Sequence, residues 1–190
     1  MRPNRRSMRK VLFIFGDLSD GDVEWLAAAG ERKTFPKGAV LVQQGKPIAE
    51  IYILLEGQLS VTVASPSKTL TVNTLQKGEI IGELSFLDSR PPTATVWAAV
   101  DSTVLAISRD KLSAKLARDL AFAAKFYRGM GVFLADRLRT TTRLLGFENS
   151  GSLRPEDPAD DEIDPALLDS IAIAAKRFEL LVERLQAARA

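Results

Sequence analysis

The sequence predicts a mainly β domain of the jelly-roll type, a double-stranded β-helix, with helices at both ends of the strand region. Short apolar runs separated by turn residues fill positions 31–108, a spacing typical of antiparallel barrels and jelly rolls. Within this region Leu59, Val61 and Val63 alternate with small or polar residues, the period-2 pattern of a half-buried strand. Positions 109–147 then change to three- and four-residue apolar spacing, which indicates helix.

The chain begins with a basic segment, residues 1–16, and a first predicted helix follows it. Ser19 is a favourable N-cap, and Asp22 lies at the position that completes a capping box. Apolar residues then recur on one face up to Gly30, where we expect the helix to end. The apolar run at 11–15 is too short for a signal-peptide core or a membrane span, so we interpret it as core-seeking sequence.

Short strands are predicted between the first helix and residue 108. Each apolar run is bounded by glycine, proline or polar turn residues. The predicted strands are 32–35, 39–43, 50–55, 58–64, 69–75, 79–81, 93–99 and 102–107. The residues Ser65, Pro66, Ser67 and Lys68 form a predicted hairpin tip.

The helical region 109–147 carries two apolar stripes. The first stripe, Phe122, Phe126 and Phe133, can cover the mouth of the barrel. The second stripe consists of Leu120, Ala124, Tyr127, Gly131, Leu134, Leu138, Thr141 and Leu145. Its sustained three- and four-residue steps indicate a seam between helices, and a glycine permits close backbone approach, so we predict a homodimer. The residues of the predicted dimer seam are Leu120, Tyr127, Gly131, Leu134 and Leu138. The alternative is that both stripes pack within one chain.

An acidic linker, residues 148–163, is predicted to precede a C-terminal amphipathic helix over 164–190. We interpret the acidic residues as a solvated spacer, with a metal site as the alternative. Asp164 and Pro165 suit the N-cap and the first helical position. The apolar residues of the helix repeat as an a/d seam: Leu167, Ile171, Ala174, Phe178, Leu181 and Leu185. Such a helix needs a partner, which would be the long helix, a dimer mate or another protein.

Composition narrows the classes of function. The chain has no histidine and no cysteine, which removes the commonest general base, the commonest metal ligand and all thiol chemistry. We therefore expect no catalytic site and no metal site. No apolar run approaches the ~20 residues of a membrane span. The lack of cysteine fits a reducing cytoplasm, and the net charge of +2 neither favours nor opposes a polyanionic partner.

The stretch from Gly82 to Val96, GELSFLDSRPPTATV, carries the strongest functional signal. A glycine lets backbone N–H groups approach an anion closely, and the adjacent Glu83 can accept hydrogen bonds from a sugar hydroxyl. A short polar loop follows, and Thr93 to Trp97 alternates as a strand does. The pattern indicates a cassette that binds phosphate and ribose.

This stretch resembles the phosphate-binding cassette of the cyclic-nucleotide-binding domain family. The family's cassette reads Gly-Glu-Leu-Ala and, after a few residues, Pro-Arg-x-Ala-Thr; here Pro91, Ala94 and Thr95 match. Earlier positions match the family pattern in order: Gly38, Gln44, Gly45, Tyr52, Ile53, Gly57, Val61, Gly78 and Glu79. The resemblance covers roughly residues 17–147 and implies a barrel over 31–108 followed by two helices, B and C, over 109–147.

The resemblance also implies the residues of the ligand site. These are Gly82, Glu83, Leu84, Ser85, Thr93 and Ala94. Glu83 would take the ribose 2′-hydroxyl, while backbone amides after Gly82 and at Thr93 face the ligand. The family's arginine, which pairs with the cyclic phosphate, is replaced by Pro92, which has neither charge nor N–H. Arg90 is the cation of the loop, and it would either reach inward to replace the missing guanidinium or stay in solvent. Glu83 would otherwise pair with Arg90 or cap backbone amides.

We therefore expect a non-catalytic regulatory protein that senses a cyclic nucleotide, cAMP or cGMP, and requires no cofactor. Helix rearrangement would signal to a protein partner, with the C-terminal helix as one candidate surface. The alternative is a degenerate, nucleotide-independent module that dimerises or acts as a scaffold, because Pro92 removes the charge for the phosphate. No helix-turn-helix pattern and no basic recognition face follow the long helix, so we expect no specific nucleic-acid binding.

Overall fold

A computed structural model describes residues 15–65, 68–150 and 165–187. In this part of the chain, antiparallel strands form two four-stranded sheets. The strands are β1 (Glu31–Phe35), β2 (Val40–Val42), β3 (Glu50–Glu56), β4 (Leu59–Ala64), β5 (Thr69–Leu75), β6 (Ile80–Ile81), β7 (Thr95–Ala98) and β8 (Ser102–Ser108). One sheet has the order β1-β8-β3-β6 and the other β2-β7-β4-β5. The predicted jelly roll is confirmed.

The two sides of β3 belong to two different apolar cores. Ile51, Ile53 and Leu55 pack against the helices, whereas Tyr52 and Leu54 face the space between the sheets. This division follows from the alternation of side chains along a strand. The first sheet therefore separates a helical layer from the interior of the roll.

Helices flank and interrupt the strands. They are α1 (Asp20–Ala29), α2 (Glu83–Asp88), α3 (Arg109–Arg118), α4 (Leu120–Ser150) and α5 (Pro165–Ala187). The predicted capping box of α1 is confirmed: the Asp22 N–H donates to Ser19 Oγ at 3.3 Å, and the Ser19 N–H donates to Asp22 Oδ2 at 2.8 Å. Lys125 Nζ of α4 lies 3.0 Å from the same Asp22 Oδ2, so the cap also joins α1 to α4.

The helical region predicted over 109–147 is divided at Asp119. This residue leaves the helical conformation, and its Oδ1 accepts a hydrogen bond of 2.9 Å from the Phe122 N–H, so that it caps α4. Helix α4 continues to Ser150, past the predicted end, so the first residues of the predicted linker 148–163 are helical. The remainder of that linker lies outside the described residues.

The C-terminal helix packs on α1 of its own chain, which was not among the three partners that the sequence suggested. Its seam residues Ala174, Phe178, Leu181 and Leu185 are buried. The Phe178 ring meets the Phe15 ring edge-on at 5.6 Å, and Arg177 Nη1 donates to the Gly16 carbonyl at 2.8 Å. Val23 and Leu26 give α1 an apolar face, which explains why α5 finds its partner there.

Several predicted features fall partly outside the described residues. These are the basic segment up to residue 14, the residues Pro66 and Ser67 of the hairpin tip, and the side chains of Leu167 and Ile171. The hairpin itself is closed by a bond of 2.9 Å from the Ser65 N–H to the Lys68 carbonyl. None of the helices in the described ranges combines the length and apolar character that a bilayer crossing requires.

Candidate functional site

A cavity of about 250 Å³ lies between the second sheet and the cassette stretch 82–96. Most of its wall is aliphatic: Val42, Val61, Val63, Val72, Leu75, Ile80, Ile81, Leu84 and Val96. The other residues of the wall are Gly82, Glu83, Ser85, Pro92, Thr93, Ala94 and Arg137. Every ligand-site residue that the sequence suggested therefore borders this cavity except Arg90.

Gly82 sets the direction in which the chain enters the cassette. Its φ is 89°, and a Cβ at this position would lie 2.6 Å from Ile48 Cδ1, so another residue would be strained and crowded. The chain then forms the short helix α2 (Glu83–Asp88), where the sequence suggested a polar loop. This turn brings Glu83 into the cavity.

Glu83 is a buried carboxylate, only 4% exposed. It accepts a hydrogen bond from Arg137 Nη1, and backbone N–H groups at Gly82 and Glu83 also point to it. Burial raises the pKa of Glu83, although the Arg137 charge and those N–H groups act in the opposite direction. The carboxylate is thus held by α4 and by its own backbone. Of the two ligand-free roles that the sequence left open for Glu83, the contact with backbone amides is present, and Arg137 takes the place of Arg90 as its ion-pair partner.

Arg137 is a cavity residue that the sequence analysis missed. It is half-buried on α4, and its guanidinium carbon lies 5.6 Å from the centroid of the Phe133 ring. Phe126 and Phe133 are buried on the same helix, and Arg137 follows Phe133 by one turn on that face. The available signal was therefore a basic residue one turn beyond the phenylalanine stripe.

Arg90 lies away from the cavity. Its side chain is 83% exposed, with Nε 3.8 Å from Asp88 Oδ2, and its backbone N–H donates to Asp88 Oδ1 at 3.0 Å. Of the two interpretations of this residue, the structure shows the solvent-exposed one. The carboxylate at the end of α2 and the cost of desolvating a guanidinium both favour this position.

Arg109 connects the cassette to the helices that follow the roll. Its Nη1 donates to the Ile48 carbonyl at 3.2 Å, its Nη2 donates to the Ser85 carbonyl at 2.8 Å, and its guanidinium carbon lies 5.9 Å from the Phe86 ring centroid. Since Arg109 is the first residue of α3, the cassette is attached both to α3 and, through Glu83, to α4. The sequence analysis did not identify this link.

Residues 32–119 match the family model of the cyclic nucleotide-binding domain. This segment belongs to the cyclic-nucleotide-binding domain family. A cyclic nucleotide-binding domain from Methylobacillus flagellatus has the same fold, with a TM-score of 0.67 at 24% identity, over 78% of this chain and 88% of that one. The family that the cassette resemblance suggested is confirmed.

Several relatives carry cyclic-nucleotide names, and two of them show how much of the chain is matched. A cyclic AMP receptor protein of Thermus thermophilus is 28% identical over 143 residues, which are 72% of this chain and 63% of the relative. A cGMP-dependent protein kinase of Toxoplasma gondii is 31% identical over 90 residues, which are 47% of this chain and 9% of the kinase. The chain thus spans less than two thirds of either relative.

This cyclic-nucleotide-binding domain departs from the cassette pattern of its family at Pro92. The proline lies in the cavity wall, and its carbonyl accepts a bond of 2.8 Å from the Gly45 N–H. Thr93 and Ala94 follow at the same wall, and the Gln44 N–H donates to Thr95 Oγ1 at 3.1 Å. Hydrogen bonds therefore join the loop to Gln44 and Gly45, the residues that follow β2. The pyrrolidine ring of Pro92 takes the place of the family's guanidinium.

The long helix behind the cyclic-nucleotide-binding domain leaves one face open. Leu120, Tyr127 and Leu138 are 79%, 47% and 68% exposed, and Leu134 is half-buried. A Cβ built on Gly131 would meet nothing within 4 Å. The predicted dimer seam is thus an apolar face that the described part of the chain does not cover, whereas the phenylalanine stripe is buried. The side chain of Leu145 lies outside the described residues.

Proposed function

We propose that the protein is a non-catalytic cytoplasmic regulator that senses a cyclic nucleotide and signals through α4. One observation carries the proposal: Glu83 of the cassette is hydrogen-bonded to Arg137 of α4, so the cavity and the long helix share one ion pair. A ligand that changes the partner of Glu83 changes the forces on α4. Ligand binding can shift a helix equilibrium only through such differential contacts.

The chemistry of the cavity supports a nucleotide ligand. Glu83 supplies an acceptor for the ribose 2′-hydroxyl. Ser85 and Thr93 bring hydroxyl groups to the same wall, and the amides of Leu84 and Ala94 are the proposed backbone donors. The valine-rich wall suits the flat apolar face of a purine. A cavity of about 250 Å³ is near the lower end of small-molecule sites, which start at roughly 300 Å³.

The proposal includes a homodimer that forms through the open face of α4. The face presents large apolar side chains, with Gly131 at a position where a second backbone can approach closely. Its three- and four-residue spacing suits a second copy of the same helix better than an unrelated surface. A protein partner would then respond to the arrangement of the paired helices.

A second candidate function is a nucleotide-independent scaffold built on the same domain. The observation that favours it is that Glu83 and Arg137 satisfy each other without a ligand, while Pro92 offers neither charge nor N–H. In that case the ion pair would fasten α4 to the roll, and the dimer seam would be the functional surface.

Isothermal titration calorimetry with cAMP and with cGMP separates the two candidates. We expect micromolar binding of at least one nucleotide, and we expect Glu83→Gln to weaken it because an amide accepts the ribose hydroxyl less strongly. Glu56→Gln is the matched control, since Glu56 is an exposed glutamate outside the cavity wall. An absence of heat up to millimolar nucleotide would reject the sensor and leave the scaffold.

A further inference from the structure

We propose that Arg137 of α4, and no residue of the cassette, supplies the positive charge for the cyclic phosphate. Ligand entry would move the guanidinium from Glu83 to the phosphate, and the Glu83 carboxylate, still held by its backbone N–H groups, would accept the ribose hydroxyl in place of Arg137. This inference rests on the proposed function and specifies how the charge of the ligand reaches the long helix.

The charges at the cavity support this assignment. Among the described residues of the wall, Glu83 and Arg137 are the charged ones, and they form a pair. Pro92 occupies the position of the family's cassette arginine, and Arg90 is 83% exposed beside Asp88. An anion that enters the cavity therefore meets one guanidinium, and that guanidinium belongs to α4.

The side chain of Arg137 suits an exchange of partners. It is 29% exposed, so it borders both solvent and cavity, whereas the Glu83 side chain is 5% exposed and fixed by backbone N–H groups. A guanidinium carries five donors in a planar fork that matches phosphate oxygens. The fork can bond a phosphate while its stem stays on the Phe133 ring.

The position of the cation has a consequence for signalling. A cassette arginine would bind the phosphate from within the roll, so that bond would exert no force on α4. Arg137 instead draws α4 toward the ligand, because the bond that binds the phosphate is also a bond to α4. Affinity and helix position are therefore coupled in this chain through one side chain.

A set of cation variants tests the assignment by calorimetry with cAMP and cGMP. Arg137→Gln should weaken binding about ten- to hundredfold, the usual loss for a charge-assisted bond. Arg90→Gln, the matched change on the exposed arginine, should leave affinity unchanged. Pro92→Arg should raise affinity, because it restores a guanidinium to the cassette. This gain does not depend on how well the Arg137 variant folds.

The helix response is measured separately by the fluorescence of Trp25, whose ring lies 5.5 Å from that of Phe122 on α4. A Trp97→Phe background removes the other tryptophan of the chain. We expect nucleotide to change Trp25 emission in that background. The combination of Pro92→Arg with Arg137→Gln should bind nucleotide without that change.

The outcomes are distinguishable. If the unaltered chain binds neither nucleotide, the proposed function is rejected and this inference with it. If it binds and Arg137→Gln binds equally well, only the role of Arg137 is overturned. A Trp25 response that persists in the combined variant would overturn the coupling through Arg137, even where the affinities agree.

Discussion

The two faces of α4 differ in what covers them. On one face Phe122, Phe126 and Phe133 are no more than 4% exposed, and Phe122 and Phe126 belong to the core that the helices share with the first sheet. On the other face Leu120 and Leu138 are 79% and 68% exposed. Both faces have helical apolar spacing in the sequence, so periodicity alone does not separate core from open surface.

The difference in exposure between the two faces suits them to separate roles on the same helix, α4. The buried face continues into Arg137, which borders the cavity, so under the proposed function it is the face that would meet a ligand. The open face has no described neighbour at Gly131 and is the face proposed for a second copy. Because a helix moves as a unit, a shift of Arg137 also reorients the open face.

The largest expected effect is a contrast in stability between the faces. Phe126→Ala should lower the free energy of unfolding by about 3–5 kcal/mol, because it leaves a cavity in the helical core. Leu138→Ala, on the open face, should change it by less than about 0.5 kcal/mol. Urea unfolding, followed by circular dichroism at low protein concentration, measures both. Similar losses for the two variants would mean that the faces are not divided as described.

The strands and the capping box of α1 could be predicted because their signals are local. The strand predicted over 69–75 is the observed β5 (Thr69–Leu75), and Ser19 with Asp22 forms the expected capping box. Period-2 alternation and a capping pair are each contained within a few residues. Helix α2 was missed because its six residues make fewer than two turns and carry no periodic signal.

Contacts between distant parts of the chain were not predictable in this way. Glu83 and Arg137 are separated by 54 positions, and the nearby Arg90 was the obvious cation by sequence distance. The a/d seam of α5 correctly indicated a buried face, yet it did not specify that α1 buries it. A one-dimensional pattern shows that a face needs a partner, whereas the partner depends on the tertiary path.

A charge placed on the open face should disrupt assembly through it. Leu138→Lys places an ammonium in the proposed seam of each copy and should cost roughly 2–3 kcal/mol of dimer affinity, after the lysine stem has partly escaped to solvent. Light scattering coupled to size exclusion should show a dimer for the unaltered chain and a monomer for the variant. Lys substituted for Leu70, an exposed leucine on β5, is the control and should leave the dimer intact. A dimer that survives Leu138→Lys would place the interface elsewhere.

A smaller effect is expected from Glu83, the buried carboxylate that pairs with Arg137 on the buried face of α4. Burial raises the pKa of Glu83 in the native state above the ordinary 4.5 of the unfolded chain. At pH values between the unfolded-state pKa and the native-state pKa, the native state therefore binds more protons than the unfolded state. Stability therefore falls as pH rises through this window and is level above it. Glu83→Gln removes this dependence.

Urea unfolding between pH 4 and neutrality should therefore show the unaltered chain losing stability relative to Glu83→Gln as pH rises from about 4.5. Glu56→Gln serves again as the exposed glutamate variant with which the Glu83→Gln profile is compared. A difference that is constant with pH, or that grows in favour of the unaltered chain, would contradict the raised pKa.

The smallest effect separates two ion pairs that α4 makes with the chain around α1. Lys125 Nζ lies 3.0 Å from Oδ2 of Asp22, whose side chain is 10% exposed, whereas Arg128, 71% exposed, pairs with Asp17 at 2.6 Å. Lys125→Gln should cost about 1 kcal/mol, since Lys125 is itself partly exposed and its pair is screened. Arg128→Gln should cost about 0.2–0.5 kcal/mol, and less at roughly 1 M salt, where the Debye length falls to about 3 Å. Equal losses that persist in high salt would mean that Arg128 is not on the solvent side of the helix, and the boundary between the two faces would have to be redrawn.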